Sequence, residues 1–205
     1  MTVNEMLDAL GYRLDDPSAG VYTSAIKLSA LNTAYTYAVG LAHSALLLGL
    51  QTTSSLTGTL LGTALPSDFF RYVASAASSK SPVQWIERVP VDSIEKLDNY
   101  FVQGTGTSPK CVIFGNKYYL FVDVYSATNA TIKLWYVKSP TALAAGTSQV
   151  PVHLALHAPI LRMAEAELRA SYKYGDFAQA EAMRTSAIEQ INVLNAMHIQ
   201  GVLSA

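Results

Sequence analysis

Charge is what this sequence has least of. Of its 205 residues only 14% are Asp, Glu, Lys or Arg, against about 25% in an average soluble domain. A subunit needs charged surface to stay in solution alone, so the shortfall predicts that further subunits cover much of it. The net charge is −1, which excludes a generally basic, DNA-gripping exterior. Cys111 is the single cysteine. One thiol excludes an internal disulfide and fits folding in a reducing compartment. Its apolar neighbours make it a small buried hydrophobe. Long hydrophobic runs are missing as well. The most apolar stretch, Tyr35–Leu50, is about sixteen residues and contains His43 and Ser44, whereas a bilayer span needs about 20. It reads as a core helix, with no membrane contact expected. Residues 1–20 lack the basic and apolar regions of a signal peptide.

Catalytic patterns are equally scarce. His153 and His157 stand four apart, as in metal-binding helices, but position 154 is Leu where a zinc protease needs Glu, and no third ligand is near. They are expected to be polar or capped histidines. Gly104-Thr105-Gly106-Thr107-Ser108-Pro109-Lys110 imitates a phosphate loop, yet it leads into a strand rather than a helix. There is no Gly-x-Ser-x-Gly elbow, and Cys111 has no neighbouring His to activate it. Asp92, Glu95 and Asp98 have the spacing of a solvated helix face, and without an aromatic cleft they give little support to glycoside hydrolysis. Tyr118, Tyr119, Tyr125, Trp135 and Tyr136 could stack bases or sugars; with no basic patch beside them, filling and covering a sheet is the simpler role. No enzyme, metal or cofactor is expected.

What is present is a change of period. Thr2 and Glu5 form a capping box for a helix that ends at Gly11, followed by a turn over Asp15–Gly20. A long helix is predicted from Tyr22 to Leu48, with Leu28, Leu31, Tyr35, Ala38, Val39, Ala42 and Leu46 in one stripe and Gly49 as its stop. The Thr- and Ser-rich stretch Gln51–Ala64 suits a weak strand or an ordered loop equally. Leu65-Pro66-Ser67-Asp68-Phe69 then forms a hinge between helical and β-rich parts. Pro66 keeps Leu65 extended, Ser67 and Asp68 favour a turn, and Phe69, Tyr72 and Val73 are expected to be buried. A polar loop over Ala74–Ser81, a strand Val83–Val89 and a short helix Val91–Tyr100 should follow, then a flexible loop over Gln103–Pro109. Lys110–Phe114 and Lys117–Val124 flank Gly115-Asn116, a two-residue hairpin turn. With Thr131–Val137 they predict a three-stranded meander, to which Val83–Val89 could add. Helical spacing returns through Leu154, Ile160, Leu161, Ala164 and Leu168, with Pro159 as a kink or a first-turn residue. After Gly175, with Asp176 as N-cap, a last helix places Phe177, Ala180, Ala187, Ile188, Ile191 and Leu194 on one face. The two helices are expected to fold back as a hairpin. The apolar tail Gly201–Ala205 would be unusual left free in water.

The fold class is therefore α+β: a helical bundle, built from a long N-terminal helix and a C-terminal helical hairpin, with an inserted antiparallel β meander. Residues 1–205 read as one domain with parts 1–64, 65–140 and 141–205.

Three features carry a likeness: Leu31-Asn32-Thr33-Ala34 in the long helix, the Leu65-Pro66-Ser67-Asp68-Phe69 junction, and Leu134-Trp135-Tyr136-Val137-Lys138-Ser139-Pro140 closing the β segment. With the terminal helices they make nearly the whole chain resemble the head-to-tail adaptor (connector) proteins of tailed bacteriophages, in the larger form found in short-tailed phages. The resemblance implies a structural virion protein at the head–tail junction, made in the host cytoplasm and assembled as a ring of twelve copies. Such a ring docks beneath the portal protein, lengthens the DNA channel and offers a platform to tail nozzle and tail fibre proteins. Double-stranded DNA passes through without sequence-specific binding. Carried onto this chain, it implies a portal-facing segment with Met197, Ile199, Val202 and Leu203. It also implies a tail-facing β insertion with Gly115, Asn116, Thr128 and Asn129, and subunit packing through Leu28, Leu31, Tyr35, Ile188 and Ile191. The other readings are a stopper, tail-completion or tail-terminator protein, or a virion-borne cell-wall hydrolase using Asp92/Glu95 or His153/His157.

Overall fold

The computed structural model describes residues 1–59, 61–77, 83–91, 109–121, 130–171 and 177–199. The protein is α+β and divides into two compact units. Residues 1–50 and 140–205 form a helical unit, and residues 51–139 a β unit.

In the helical unit, α1 (Val3–Arg13) starts at the expected capping box. Thr2 Oγ1 accepts from the Glu5 N–H at 3.2 Å and Glu5 Oε2 from the Thr2 N–H at 2.9 Å. The helix runs two residues beyond Gly11, because Gly11 serves close packing and not termination. A Cβ there would lie 3.0 Å from Lys27 Nζ and 3.3 Å from the Asp16 carbonyl oxygen. The second helix, α2 (Ser24–Leu41), is capped by Thr23 and buries the expected stripe: Leu31, Tyr35, Ala38 and Val39 are inaccessible to solvent.

This helix ends seven residues before Leu48. Ala42 turns extended (ψ 144°), and the side chain of Asn195 satisfies the broken end. Its Oδ1 accepts from the His43 N–H at 2.7 Å and its Nδ2 donates to the Leu41 carbonyl at 3.0 Å. A 3₁₀ segment, Ser44–Leu50, then buries Leu46, Leu47 and Leu50. Gly49 is not a helix stop. It lets the chain pass Pro151, whose backbone a Cβ would meet at 2.9 Å.

A 3₁₀ turn (Leu154–Leu156) leads into α3 (His157–Ser171), with Pro159 in its first turn, where a missing N–H costs nothing. The last helix, α4 (Phe177–Ile199), follows. α3 packs against α1, α2 and α4, and Arg162 Nη1 on α3 donates to Ser186 Oγ on α4 at 2.7 Å. On α4, Ala180, Ala187 and Ile191 are buried and Ile188 and Leu194 half-buried. Phe177, expected on that face, is 71% exposed; it is the first residue of the helix.

The β unit begins at Gln51, well ahead of the Leu65 boundary suggested by composition. Gln51–Ala64 is resolved as strand at its start: β1 (Gln51–Gly58) pairs over all eight residues, from Gln51↔Val137 to Gly58↔Ala130. The other strands are β2 (Thr63–Ala64), β3 (Phe69–Ala77), β4 (Gln84–Trp85), β5 (Glu87–Arg88), β6 (Lys110–Phe114), β7 (Lys117–Phe121) and β8 (Ala130–Lys138). They form two four-stranded sheets of order β1-β8-β3-β4 and β2-β7-β6-β5. All pairs are antiparallel except β5–β6.

The expected meander is thus corrected. The β6–β7 hairpin stands, with Gly115 and Asn116 at φ 54° and 59° as its turn requires. β8 pairs with β1 and β3 instead of β7. Three local expectations change with it. Ala74–Ala77 belong to β3 and not to a loop, since Ala76 and Ala77 are small enough to be buried there. The run Val83–Val89 is split at Ile86, whose N–H donates to the Ser75 carbonyl at 2.9 Å; on either side the chain serves a different sheet. Val73 is 37% exposed because register shifts in β3 push Phe70 and Val73 out of the ladder.

The Leu65–Phe69 junction lies inside this unit as a tight turn. The Phe69 N–H donates to the Pro66 carbonyl at 3.0 Å, the Leu65 N–H to the Asn116 carbonyl at 3.1 Å, and the Tyr136 hydroxyl to Asp68 Oδ1 at 2.7 Å. Leu56, Leu65, Ile86, Cys111, Tyr118, Leu120, Ile132, Leu134 and Tyr136 form the core. Several expectations lie outside the described residues: the helix beyond Val91, the loop up to Ser108, Val122–Val124, the turn before Ala130, the Gly175-Asp176 break and the tail after Ile199.

Candidate interaction surfaces

The sequence-derived residues fall into three groups. Leu31, Tyr35 and Ile191 are fully buried inside the helical unit, while Leu28 and Ile188 are half-buried. Gly115 and Asn116 occupy the tip of the β6–β7 hairpin, and a Cβ on Gly115 would meet nothing within 4 Å. Met197 is half-buried near the end of α4, and Ile199 closes that helix. Thr128, Asn129, Val202 and Leu203 lie outside the described residues.

The exposed apolar side chains are more telling, and they include Leu154, which helical spacing places in an apolar run. In the helical unit Tyr12 is 71%, Leu154 67% and Val193 58% exposed. A shallow groove runs between the start of α3 and the later half of α4, lined by Ala155, Ala158, Pro159, Ser186, Gln190 and Val193. In the β unit Trp85 is 61% exposed, its ring 5.4 Å from that of Trp135, and Lys133 Nζ lies 5.0 Å from the Trp135 ring centre. Four of the five aromatic residues fill and cover the sheet as expected, Tyr118 and Tyr136 buried, Tyr119 and Trp135 half-buried; Tyr125 lies outside the described residues.

Among the described residues, the buried Asp, Glu, Lys and Arg side chains (Asp16, Lys27 and Glu165) all lie in the helical unit. Asp16 accepts from the backbone N–H groups of Gly20, Val21 and Tyr22 at 2.8, 3.2 and 2.8 Å. Lys27 Nζ lies 3.6 Å from its carboxylate and donates to its carbonyl at 2.7 Å. The Tyr22 N–H, ahead of the other two donors and Lys27, holds the Asp16 carboxyl below its ordinary value, against the opposing effect of burial. Glu165 on α3 bridges Arg169 at 2.9 Å and Arg13 of α1 at 3.5 Å. Lys27 in an otherwise apolar stripe was the one sequence signal for these contacts.

The histidines do structural work. His153 caps the 3₁₀ turn, its Nδ1 accepting from the Ala155 N–H at 3.2 Å. His157 is buried, with Nδ1 3.2 Å from the Met1 amine and Nε2 without a partner. Burial, then the nearby amine, pushes its pKa down. Among the described residues no group of three or more His, Cys, Asp or Glu is placed to hold a metal ion. In the β unit Ser75 Oγ lies 3.0 Å from the Tyr72 hydroxyl, 2.9 Å from the Tyr118 hydroxyl and 3.9 Å from Cys111 Sγ. Burial raises the Cys111 thiol, which keeps it protonated and a poor nucleophile. Among the described residues no helix is long and apolar enough to cross a membrane.

Among the described residues the arrangement leaves apolar surface exposed and brings no three His, Cys, Asp or Glu together where they could hold a metal ion. A family model described as "SU10 adaptor protein" matches residues 1–201. No curated protein matches the chain.

Proposed function

The chain belongs to the SU10 adaptor protein family, and from that premise we propose that it forms a closed ring of twelve copies between portal and tail. In this reading the ring belongs to a short-tailed phage, lengthens the DNA channel and gives tail nozzle and fibre proteins a platform. The family match along residues 1–201 carries the reading. Membership of a structural family favours a non-catalytic role. Two physical observations support assembly. Charged residues make up only 14% of the chain, and Tyr12, Leu154, Phe177 and Val193 leave apolar surface that neighbours would cover. A net charge of −1 suits a channel in which DNA slides, because many cation–phosphate contacts would hold it.

Within the ring, the end of α4 and the residues after it, with Met197, Ile199, Val202 and Leu203, reach the portal. The β unit, with Gly115 and Asn116 at a hairpin tip and Thr128 and Asn129 further on, faces the tail. Leu28 and Ile188 meet neighbouring copies, over a core made rigid by Leu31, Tyr35 and Ile191. Electron microscopy of assembled particles with this chain located tests the reading. The expected result is a ring against the portal, lost when the chain is truncated after Met197. Finding the chain at the tail tip, or a truncated chain that still docks, would overturn it.

A further inference from the structure

A long, straight, uncharged strand at the edge of a sheet is a template for another strand, because its outer N–H and C=O groups have no ladder partner. Three outermost strands of the β unit, β2, β4 and β5, have two residues each. β1 is different. It has eight residues with no charge and no proline, and it keeps register with β8 without a break. Near its end the Thr57 carbonyl accepts from the Thr63 hydroxyl of β2, and Thr59, just beyond, bridges Tyr119 of β7. Ahead of Thr57, among the described residues, no strand pairs with its other side, and Thr53 and Ser55 are exposed. Across the same sheet, β4 pairs with Ala76 and Ala77 of β3, and Ile86 just after it takes up the Ser75 carbonyl. Ahead of Ala76, among the described residues, no strand lies along β3 on the side away from β8, and the two bulges turn Phe70 and Val73 outward. Among the described residues the sheet therefore has two unlike edges, each open over part of its length.

The direction of the strands decides what can fill them. β1 and β3 both run antiparallel to β8, so they are parallel to each other. A second copy, rotated about an axis along the strands, brings its β1 beside β3 in a parallel ladder, and repeating that operation closes a ring. A two-fold axis would pair β1 with β1 antiparallel, leave β3 open and stop at two copies. The bulges also have a use, because they bend and twist the strand that carries them, and a ring of joined sheets must bend at each junction.

We propose that β1 of one copy pairs with β3 of the next, so that the sheets of successive subunits join edge to edge and Phe70 and Val73 are covered. This rests on the ring reading above. Thr53→Cys and Ser55→Cys, each combined with Val73→Cys, test it in assembled particles treated with a short bis-maleimide; Cys111 is buried and should not react. All three sites are exposed, and unchanged circular-dichroism melts of the purified variants check that they fold. The expected result is a ladder of covalent products well beyond dimers from at least one double variant, with single variants staying monomeric on a denaturing gel. Dimers from Ser55→Cys alone that grow no further would overturn the proposal in favour of two-fold pairing. Failure of both double variants to cross-link in particles whose ring is visible by microscopy would overturn it while leaving the ring reading intact. Particles with no ring of this chain would remove both.

Discussion

The two units bury their polar groups in opposite ways. Residues 51–139 carry eight Lys/Arg and six Asp/Glu, a net of +2; the rest of the chain carries six and nine, a net of −3. In the helical unit charge goes inside. Asp16 and Lys27 are both buried, and Glu165 ties α1 to α3 through two arginines. Among the described residues of the β unit the buried polar side chains are neutral: Ser75 and Tyr118, joined by the half-buried Tyr72, the Cys111 thiol, and Tyr136, whose hydroxyl donates to Asp68. Three of the unit's cations lie over rings: Arg71 over Phe70, Arg88 over Tyr72 and Lys133 over Trp135. Burial raises Tyr72 to about 12 and Tyr118 further in the same direction, so neither loses its proton near neutrality. The helical unit should therefore answer to pH and the β unit to packing.

The largest effect should come from the β core. Leu134 is fully buried in β8, and Leu134→Ala should cost about 2–5 kcal/mol in denaturant unfolding, equally at pH 7 and pH 5.5. A pH-dependent cost would break the contrast. Next comes Asn195, which satisfies both sides of the break after α2. Asn195→Ala leaves a donor and an acceptor open and should cost about 1–3 kcal/mol. Hydrogen exchange should then quicken around Leu41–Leu50 and stay unchanged in β1–β8.

A smaller effect follows from His157. Its folded pKa is lowered, so the folded state binds fewer protons, and stability falls as pH drops below about 6.5. Asp16, lowered from 3.8, adds a loss only in stronger acid, and Glu167, raised by burial, acts in the opposite direction. His157→Leu should flatten the melting temperature between pH 7 and pH 5.5; an unchanged slope would assign it elsewhere. The smallest effect should be Phe177→Ser. At 71% exposure it should change stability by no more than about 0.5 kcal/mol, and a larger loss would mean that the side chain is covered within the subunit.

Local chemistry made part of this legible in advance. The Thr2/Glu5 box, the Gly115-Asn116 turn and the apolar stripe of α2 each depend on residues a few positions apart. Burial of Cys111 followed from the same near neighbours, whereas the capping role of His153 appears only in the structure. What failed depended on distant partners. Helical spacing continues past Leu41, and the break there is satisfied by Asn195, 152 positions from His43. The Thr/Ser composition of Gln51–Gly58 does not choose between strand and loop, because the choice belongs to β8. The meander failed for the same reason: adjacency in sequence pairs β6 with β7, whereas β8 finds β1 and β3. Of the proposed contact residues, Leu31, Tyr35 and Ile191 were chosen for apolar periodicity, which marks a core before it marks an interface.

The chain enters the β unit at Gln51 and leaves it just after Val137, and these two residues face each other across the β1–β8 ladder. Antiparallel partners sit about 4.5–5.5 Å apart, so the excursion begins and ends almost at one point. A shorter or longer appendage could replace residues 51–139 without asking the helices to move. Descendants could thus refit the exchangeable piece to new companions while the helical frame stays as inherited.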